Sequence, residues 1–268
     1  MFARLWSRIQ QVLDAREPRW QQRIENMGQI ASIEAREAGR RWTDSEVFEG
    51  IVRAVLSAQT DWAKVERVIP ELTTLFEGFD LQHYSSHSPN EIERTFVPWF
   101  VRRRAGSMSL RRDLINLVGT ARQLLAYSSQ YGSVEDFVTW LLRRSESDPK
   151  RLVMRLGSYG SEYKLPAMGV PIAAEAMKNL GFDVAKPDRH VCRAMGSFGM
   201  NHFPNWNDRT GTKGPVPSES GYLQVMGTME IFAKTIAVRP AFLDNAVWLL
   251  CAQSGAHLTN DRLAELVL

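Results

Sequence analysis

Apolar residues recur along this chain at intervals of three and four, and that spacing predicts helices over most of its length. In EVFEGIVRAVLSA, Val47, Ile51, Val55 and Ala58 share one stripe, with Phe48 and Val52 beside it. Thr43 followed by Glu46 is a capping box that starts this helix. Beyond Asp61, Val65, Val68, Ile69, Leu72 and Phe76 form the apolar face of a second helix. Ser88-Pro89-Asn90-Glu91 is another capping box, with Pro at the first helical position, where a missing N–H costs little. Leu110 to Tyr127 repeats the helical pattern, and Tyr131-Gly132 is its stop. Val134 to Leu142 reads as a short helix, and Asp148-Pro149 as the cap and first residue of one reaching Leu156. Residues 1–41 are expected to form one or two Arg-bearing amphipathic helices packed on the C-terminal ones. Asn201 to Gly221, with Gly211, Gly214, Pro215 and Pro217, reads as a mobile or lid-like loop. Helices resume at Tyr222, and Pro240 opens a new one. No segment alternates with period two, so no sheet is expected and the fold class is all-α.

Composition narrows the picture only a little. The 268 residues are 44% hydrophobic and 24% charged, ordinary for a folded chain with room for one large or two small domains. Thirty-three Lys and Arg against 30 Asp and Glu leave a net charge of +3, which excludes a disordered polyelectrolyte and does not by itself point to nucleic acid. Cys192 and Cys251 cannot make a disulfide framework or a four-cysteine metal site, and the five histidines lack metal-ligand spacing. Arg4 and Arg8 interrupt the apolar residues of the N-terminus, so it does not read as a signal peptide, and no apolar run approaches the ~18 residues of a membrane span. The expected setting is cytoplasmic (nucleoid) or nuclear, not secreted and not membrane-bound, and the expected state is a monomer.

Chemistry concentrates in Lys164 to Gly199, KLPAMGVPIAAEAMKNLGFDVAKPDRHVCRAMGSFG. Ala167-Met168-Gly169-Val170 is a tight turn after Leu165-Pro166, and Pro171 opens a helix ending near Gly181. Such a hairpin presents backbone N–H groups at a helix N-terminus and can hold a phosphate oxygen without any base contact. Farther on, Asp188 is placed to cap a helix beginning at Arg189, where neighbouring N–H groups and the helix dipole favour its charged form. A carboxylate fixed there would stabilise the positive charge that builds on a deoxyribose as its base leaves.

LPAMGVPIA followed by PDRHVCR resembles the helix-hairpin-helix DNA glycosylase superfamily, whose members include endonuclease III. The upstream LSAQTD, Leu56 to Asp61, resembles that family's helix-end motif, so the likeness spans residues 45–200 in three ordered motifs. The resemblance implies two helical lobes with a cleft: residues 43–180 ending in the hairpin, and 1–42 together with 181–268. It implies that Gln59 enters the gap left by a flipped nucleotide or contacts the orphaned partner base, that Met168, Gly169, Val170 and Pro171 bind DNA backbone, and that Asp188 is the catalytic carboxylate. The hairpin carbonyls are a candidate site for a Na⁺ or K⁺, and no other cofactor is expected. The implied partner is double-stranded DNA containing a damaged base.

Departures from the family pattern refine the expectation. Members that also cut the sugar-phosphate backbone carry a Lys two positions after the second hairpin glycine; here Pro171 has no amine, which implies a monofunctional enzyme using water. Ala167 replaces the first hairpin glycine, the four-cysteine iron–sulfur motif is absent, and Ala54 stands where adenine-excising members carry an acid. Trp42 and Trp62 flank the Gln59 helix and are candidate walls for a flipped base, with Tyr159 and Tyr163 as further candidates. An aromatic face would favour a base made cationic by alkylation. With the lyase lysine also absent, alkylated purine such as 3-methyladenine is the first expectation, uracil or thymine in mismatches the second and 8-oxoguanine the third. The rival of another class is a non-catalytic DNA-binding module. Arg102-Arg103-Arg104 and Arg111-Arg112 read as a solvated helix face able to touch phosphate.

Overall fold

A computed structural model describes residues 1–58 and 62–268; among these there are helices, turns and no strand, in agreement with the all-α expectation. The N-terminal stretch forms α1 (Phe2–Arg16), α2 (Trp20–Asn26) and α3 (Gln29–Glu37), more than the one or two helices expected. Pro18 forces Glu17 out of the helical region, to φ −134° and ψ 64°. Gly28, at φ 78°, makes the second break in a conformation that favours glycine.

Helix α4 (Asp44–Ser57) starts at the capping box: Glu46 N–H donates to Thr43 Oγ1 at 3.3 Å and Thr43 N–H to Glu46 Oε2 at 2.8 Å. That second bond is the main reason the Glu46 carboxyl is held below its usual range. The single helix expected after Asp61 is two, α5 (Trp62–Glu66) and α6 (Ile69–Leu75). Pro70 in the first turn of α6 cannot extend the hydrogen-bond ladder of α5, so the helix restarts. After α7 (Leu81–Ser85), α8 (Pro89–Glu91) opens at the Ser88–Glu91 capping box. It continues through a π turn, Ile92–Phe96, into α9 (Val97–Arg102); the wider turn accommodates Pro98, which has no N–H to give. Helix α10 (Leu110–Tyr131) stops at Gly132, φ 98°, where the stop was expected. Ser133 caps α11 (Val134–Arg144) and Asp148 caps α12 (Pro149–Gly157). The remaining helices are α13 (Val170–Asn179), α14 (Arg189–Ser197), α15 (Glu219–Thr235), α16 (Pro240–Cys251) and α17 (Asn260–Glu265).

Two compact units result, Arg36–Leu180 and Met1–Ala35 with Gly181–Leu268. Residues 36–42 lie in the central unit rather than with the N-terminal helices, and Arg36 supplies the reason. Its guanidinium donates to both Glu135 carboxylate oxygens, at 2.7 and 3.0 Å, and to the Leu180 carbonyl at 2.7 Å. A bidentate pair with Glu135 nearly buried is far stronger than an exposed ion pair. Within this unit α13 packs against α4 and α12. The α4 contact is so close that a Cβ on Gly50 would come within 3.1 Å of Leu180 Cδ2, and Asn179 Nδ2 donates to the Gly50 carbonyl at 3.0 Å. Asp44 joins three helices by accepting from Ser128 Oγ at 2.5 Å and Val134 N–H at 2.8 Å. Helix α10 buries Leu114, Leu117, Ala121 and Leu124, and each buried Leu contributes about 1.5–3 kcal/mol.

In the other unit α16 is central and touches α1, α2, α14 and α15. Its sequence AFLDNAVWLLC is apolar on nearly every face, so it is covered all round. Helix α1 brings Leu5, Ile9 and Leu13 to the same core, α14 brings Val191 and Met195, and α15 brings Val225, Met229 and Phe232. The 201–221 segment is laced down rather than free. Asp208 accepts N–H bonds from Gly211 at 3.0 Å and Lys213 at 2.9 Å, Trp206 Nε1 donates to the Lys213 carbonyl at 2.8 Å, and Asn260 N–H donates to the Gly211 carbonyl at 2.9 Å. Among the described residues no helix is long and apolar enough to cross a membrane.

Candidate functional site

Helix α12 ends at Gly157 because the chain folds back over it. A Cβ on Gly157 would lie 2.7 Å from Val170 Cα and 2.8 Å from Val170 N, closer than real Cβ atoms come, so only glycine lets α12 touch the start of α13. The hairpin between them is pinned on several sides. Leu165 N–H donates to the Leu156 carbonyl at 3.1 Å and Met168 N–H to the Leu165 carbonyl at 2.9 Å. Ala167 N–H donates to Thr120 Oγ1 on α10 at 3.1 Å, and Pro166 rests against Gly119 of the same helix. Ala167 is not among the residues with positive φ, so the turn holds an alanine there without backbone strain.

Helix α13 begins at Gly169, φ −106° and ψ 171°, and no side chain caps it. The amides of Gly169, Val170 and Ile172 have no acceptor within the helix, and Pro171 has no N–H. Among the described residues a Cβ on Gly169 would meet nothing within 4 Å. Glycine is thus required here neither by φ nor by packing; what it does is leave the positive helix end open to an anion. The Met168 and Val170 side chains are buried, so both can meet a ligand only through their backbone. Lys164 lies half-buried along the hairpin, with Nζ donating to the Met168 carbonyl at 2.6 Å and the Leu165 carbonyl at 3.3 Å.

At α14 the helix end is filled by the chain itself. Asp188 Oδ1 accepts from the N–H groups of His190 at 2.8 Å and Val191 at 3.1 Å. Lys186 Nζ lies 3.9 Å from Oδ2, with both side chains mostly buried. Two amides, a helix dipole and an ammonium therefore converge on one negative charge. One turn farther on, the fully buried Arg193 holds α14 in place. It donates to the carbonyls of Leu258 and Cys251 at 2.8 Å each and to Asn260 Oδ1 at 3.3 Å. His190 stands edge-on to Trp248, and its Nδ1 is buried with no hydrogen-bond partner among the described residues. Burial pushes its imidazole down to about 4, although Asp188 pulls the other way, so it is neutral near pH 7. Burial pushes the Cys192 thiol well above its usual range and that of Cys251 up to about 12, so neither is a thiolate nucleophile at neutral pH.

Gln59 lies outside the described residues. Trp42 is 7% exposed, with Arg36 and Arg40 over its ring at 4.6 and 5.1 Å. Trp62 opens α5 and is half-buried. Tyr163 packs against Trp140, ring centroids 5.7 Å apart, and Tyr159 is 90% exposed. Trp42 and Tyr163 therefore have separate surroundings. Arg103, Arg111 and Arg112 pair with Glu71, Glu93 and Asp113, and Arg103 also stacks 3.9 Å over Trp99, which is the charged helix face expected. Among the described residues no group of three His, Cys, Asp or Glu could hold a metal. Gly157, Lys164, Lys186 and Arg193 escape a reading of the sequence; only Lys186, two positions before Asp188 in Lys-Pro-Asp, carries a local signal.

No protein-family model matches the sequence, and no curated protein matches it significantly. Solved structures do match. The 8-oxoguanine DNA glycosylase of Thermotoga maritima has a TM-score of 0.59 at 17% identity, over 93% of this chain and 97% of that one. The 8-oxoguanine DNA glycosylase of Methanocaldococcus jannaschii has a TM-score of 0.57 at 16% identity, over 90% and 92%. The 8-oxoguanine glycosylase/lyase of that organism, in complex with 15mer DNA containing 8-oxoguanine, has a TM-score of 0.58 at 16% identity, over 94% and 98%. At such identity the likeness is one of fold, and it extends over nearly the whole chain: this protein shares the fold of those 8-oxoguanine DNA glycosylase structures.

Proposed function

We propose that this chain is a DNA glycosylase of base-excision repair that hydrolyses the N-glycosidic bond of a damaged purine flipped out of duplex DNA, with 8-oxoguanine as leading substrate. The observation that carries the reading is the Asp188 carboxylate, one oxygen fixed by two amides at the start of α14 and the other facing Lys186. The fold supports it, because the similar structures bear the names of 8-oxoguanine glycosylases and one holds DNA with that lesion. The tryptophans and the missing lyase lysine together placed alkylated purine first. The Trp42 ring already receives two guanidinium groups, so its support for a cationic base is weak. 8-Oxoguanine is neutral and does not need a free aromatic face, which moves it ahead.

In this mechanism the open end of α13 takes a backbone phosphate. The damaged nucleotide leaves the stack at a cost of about a few kcal/mol, least where pairing is already impaired. As the bond from C1′ to the base lengthens, its electron pair departs with the base, and Asp188 stabilises the positive charge left on the sugar. Water adds at C1′ and loses its proton to Asp188 or to solvent. Pro171 offers no amine at the position of the lyase lysine, so strand cleavage is not part of the proposed reaction.

Duplexes each carrying one lesion (8-oxoguanine, 3-methyladenine, uracil or a thymine mismatch), treated with alkali after incubation, test the reading. Release from the 8-oxoguanine duplex is expected, with Asp188→Asn slowing it about 10²- to 10³-fold or more. Undiminished release by the variant removes Asp188 from the mechanism, and release of alkylpurine alone restores the earlier ranking. Salt-sensitive binding of undamaged duplex with no release of any base identifies a DNA-binding module instead. Borohydride trapping of the protein on abasic DNA overturns the purely hydrolytic reaction, and Lys186→Ala then shows whether the amine beside Asp188 supplied it.

A further inference from the structure

The hairpin holds a cation of its own. Lys164 Nζ reaches two of its carbonyls, Met168 at 2.6 Å and Leu165 at 3.3 Å. The Leu165 carbonyl also accepts from Met168 N–H at 2.9 Å, so it has little capacity left for another partner. An ammonium is a compact point charge with three donors, and it serves converging carbonyls much as a small monovalent ion does. A Na⁺ or K⁺ on the same oxygens would stand against that ammonium at contact distance and be repelled, so these carbonyls do not fit the free cation that the sequence resemblance suggests. We propose that the Lys164 ammonium is the resident cation of the hairpin, so that this protein grips phosphate with a built-in charge and recruits no Na⁺ or K⁺.

The placement has a consequence for the anion. The Met168 carbonyl that receives the ammonium belongs to the same peptide unit as the Gly169 N–H, the first free donor of α13. Polarising that carbonyl makes the N–H a stronger donor, and the extra positive charge lies on the hairpin itself. Lys164 therefore acts as a positioning and polarising residue for phosphate binding. The DNA half of this inference rests on the proposed function; the cation half does not.

Thallium(I) nitrate, whose ion mimics K⁺, is titrated into the whole protein and followed by thallium NMR. Duplex affinity is measured in potassium and in tetramethylammonium salts at matched ionic strength. The wild type is expected to show no saturable thallium binding and the same affinity within about twofold in both salts. Saturable thallium binding that K⁺ displaces, or affinity that depends on K⁺, overturns the proposal. Lys164→Met, which keeps the stem and deletes the charge, is expected to lose about tenfold in duplex affinity in tetramethylammonium, and Lys164→Arg to keep most of it. Unchanged affinity in Lys164→Met also overturns it. Should that variant fail to fold, the two wild-type measurements still decide. A chain that binds no duplex but also no thallium refutes the glycosylase reading while supporting a resident ammonium.

Discussion

Helices α13 and α14 begin with the same physical problem and solve it oppositely. Each presents unpaired N–H groups at the positive end of a dipole. At α14 the chain supplies the anion itself, the Asp188 carboxylate, and fixes it with two hydrogen bonds. At α13 the cap is Gly169, which has no side chain to offer, and among the described residues nothing fills the space where a Cβ would sit. A helix end already filled by a carboxylate can lend that charge to a reaction, whereas an open end can receive a charge from outside. The contrast teaches that an N-terminus is informative less for its dipole, which every helix has, than for whether its own chain neutralises it.

Substitution at Asp188 should have the largest effect. Asp188→Asn keeps a good cap, so the thermal midpoint should hardly move while base release falls about 10²- to 10³-fold in single-turnover assays. Asp188→Ala should lose release equally and also about 1 kcal/mol of stability by denaturant titration. If the Asn variant retains release, the filled end is structural only and the comparison breaks.

Gly157 at the end of α12 and Gly169 at the start of α13 sharpen the contrast further. Gly157→Ala forces a methyl against Val170 and should destabilise by about 1–3 kcal/mol. Among the described residues Gly169→Ala meets no atom, so stability should change by no more than about 1 kcal/mol, the cost of alanine at an N-cap, while the methyl before the open amides should weaken duplex binding by about tenfold in fluorescence anisotropy. A loss well beyond the about 1 kcal/mol that alanine costs at an N-cap would mean that the end is occupied by the fold after all.

A smaller effect should appear with pH. Burial holds His190 at about 4 in the folded chain, below its ordinary 6.5. The unfolded chain takes up the proton first, so the stabilising effect is complete above about 6.5 and is lost as pH falls toward 4. Stability should drop by about 1 kcal/mol from about pH 6.5 to 5.5, and His190→Gln should flatten that slope. A wild-type profile already flat in this window would show that the imidazole is solvated.

The helix ends of this protein were legible in its sequence because capping is local. Thr43 with Glu46, Ser88 with Glu91, Asp148 and Asp188 each bond an amide two or three residues away, so spacing alone locates them. The all-α class was legible for the same reason, since helical periodicity repeats within a few residues. Local reading went too far only where one residue vetoed its neighbours, as Pro18, Gly28 and Pro70 did in splitting helices that the apolar spacing alone would have continued. Tertiary structure decided what depends on residues distant in the chain. Gly157 must be glycine because Val170 returns to meet it, Ala167 is held by Thr120, and Arg193 is buried because the carbonyls of Cys251 and Leu258 converge on it. Lys164 is near its acceptors in sequence, yet only the curl of the hairpin turns the Leu165 and Met168 carbonyls toward one ammonium. Backbone direction of that kind follows from how the chain packs, which no residue pattern records.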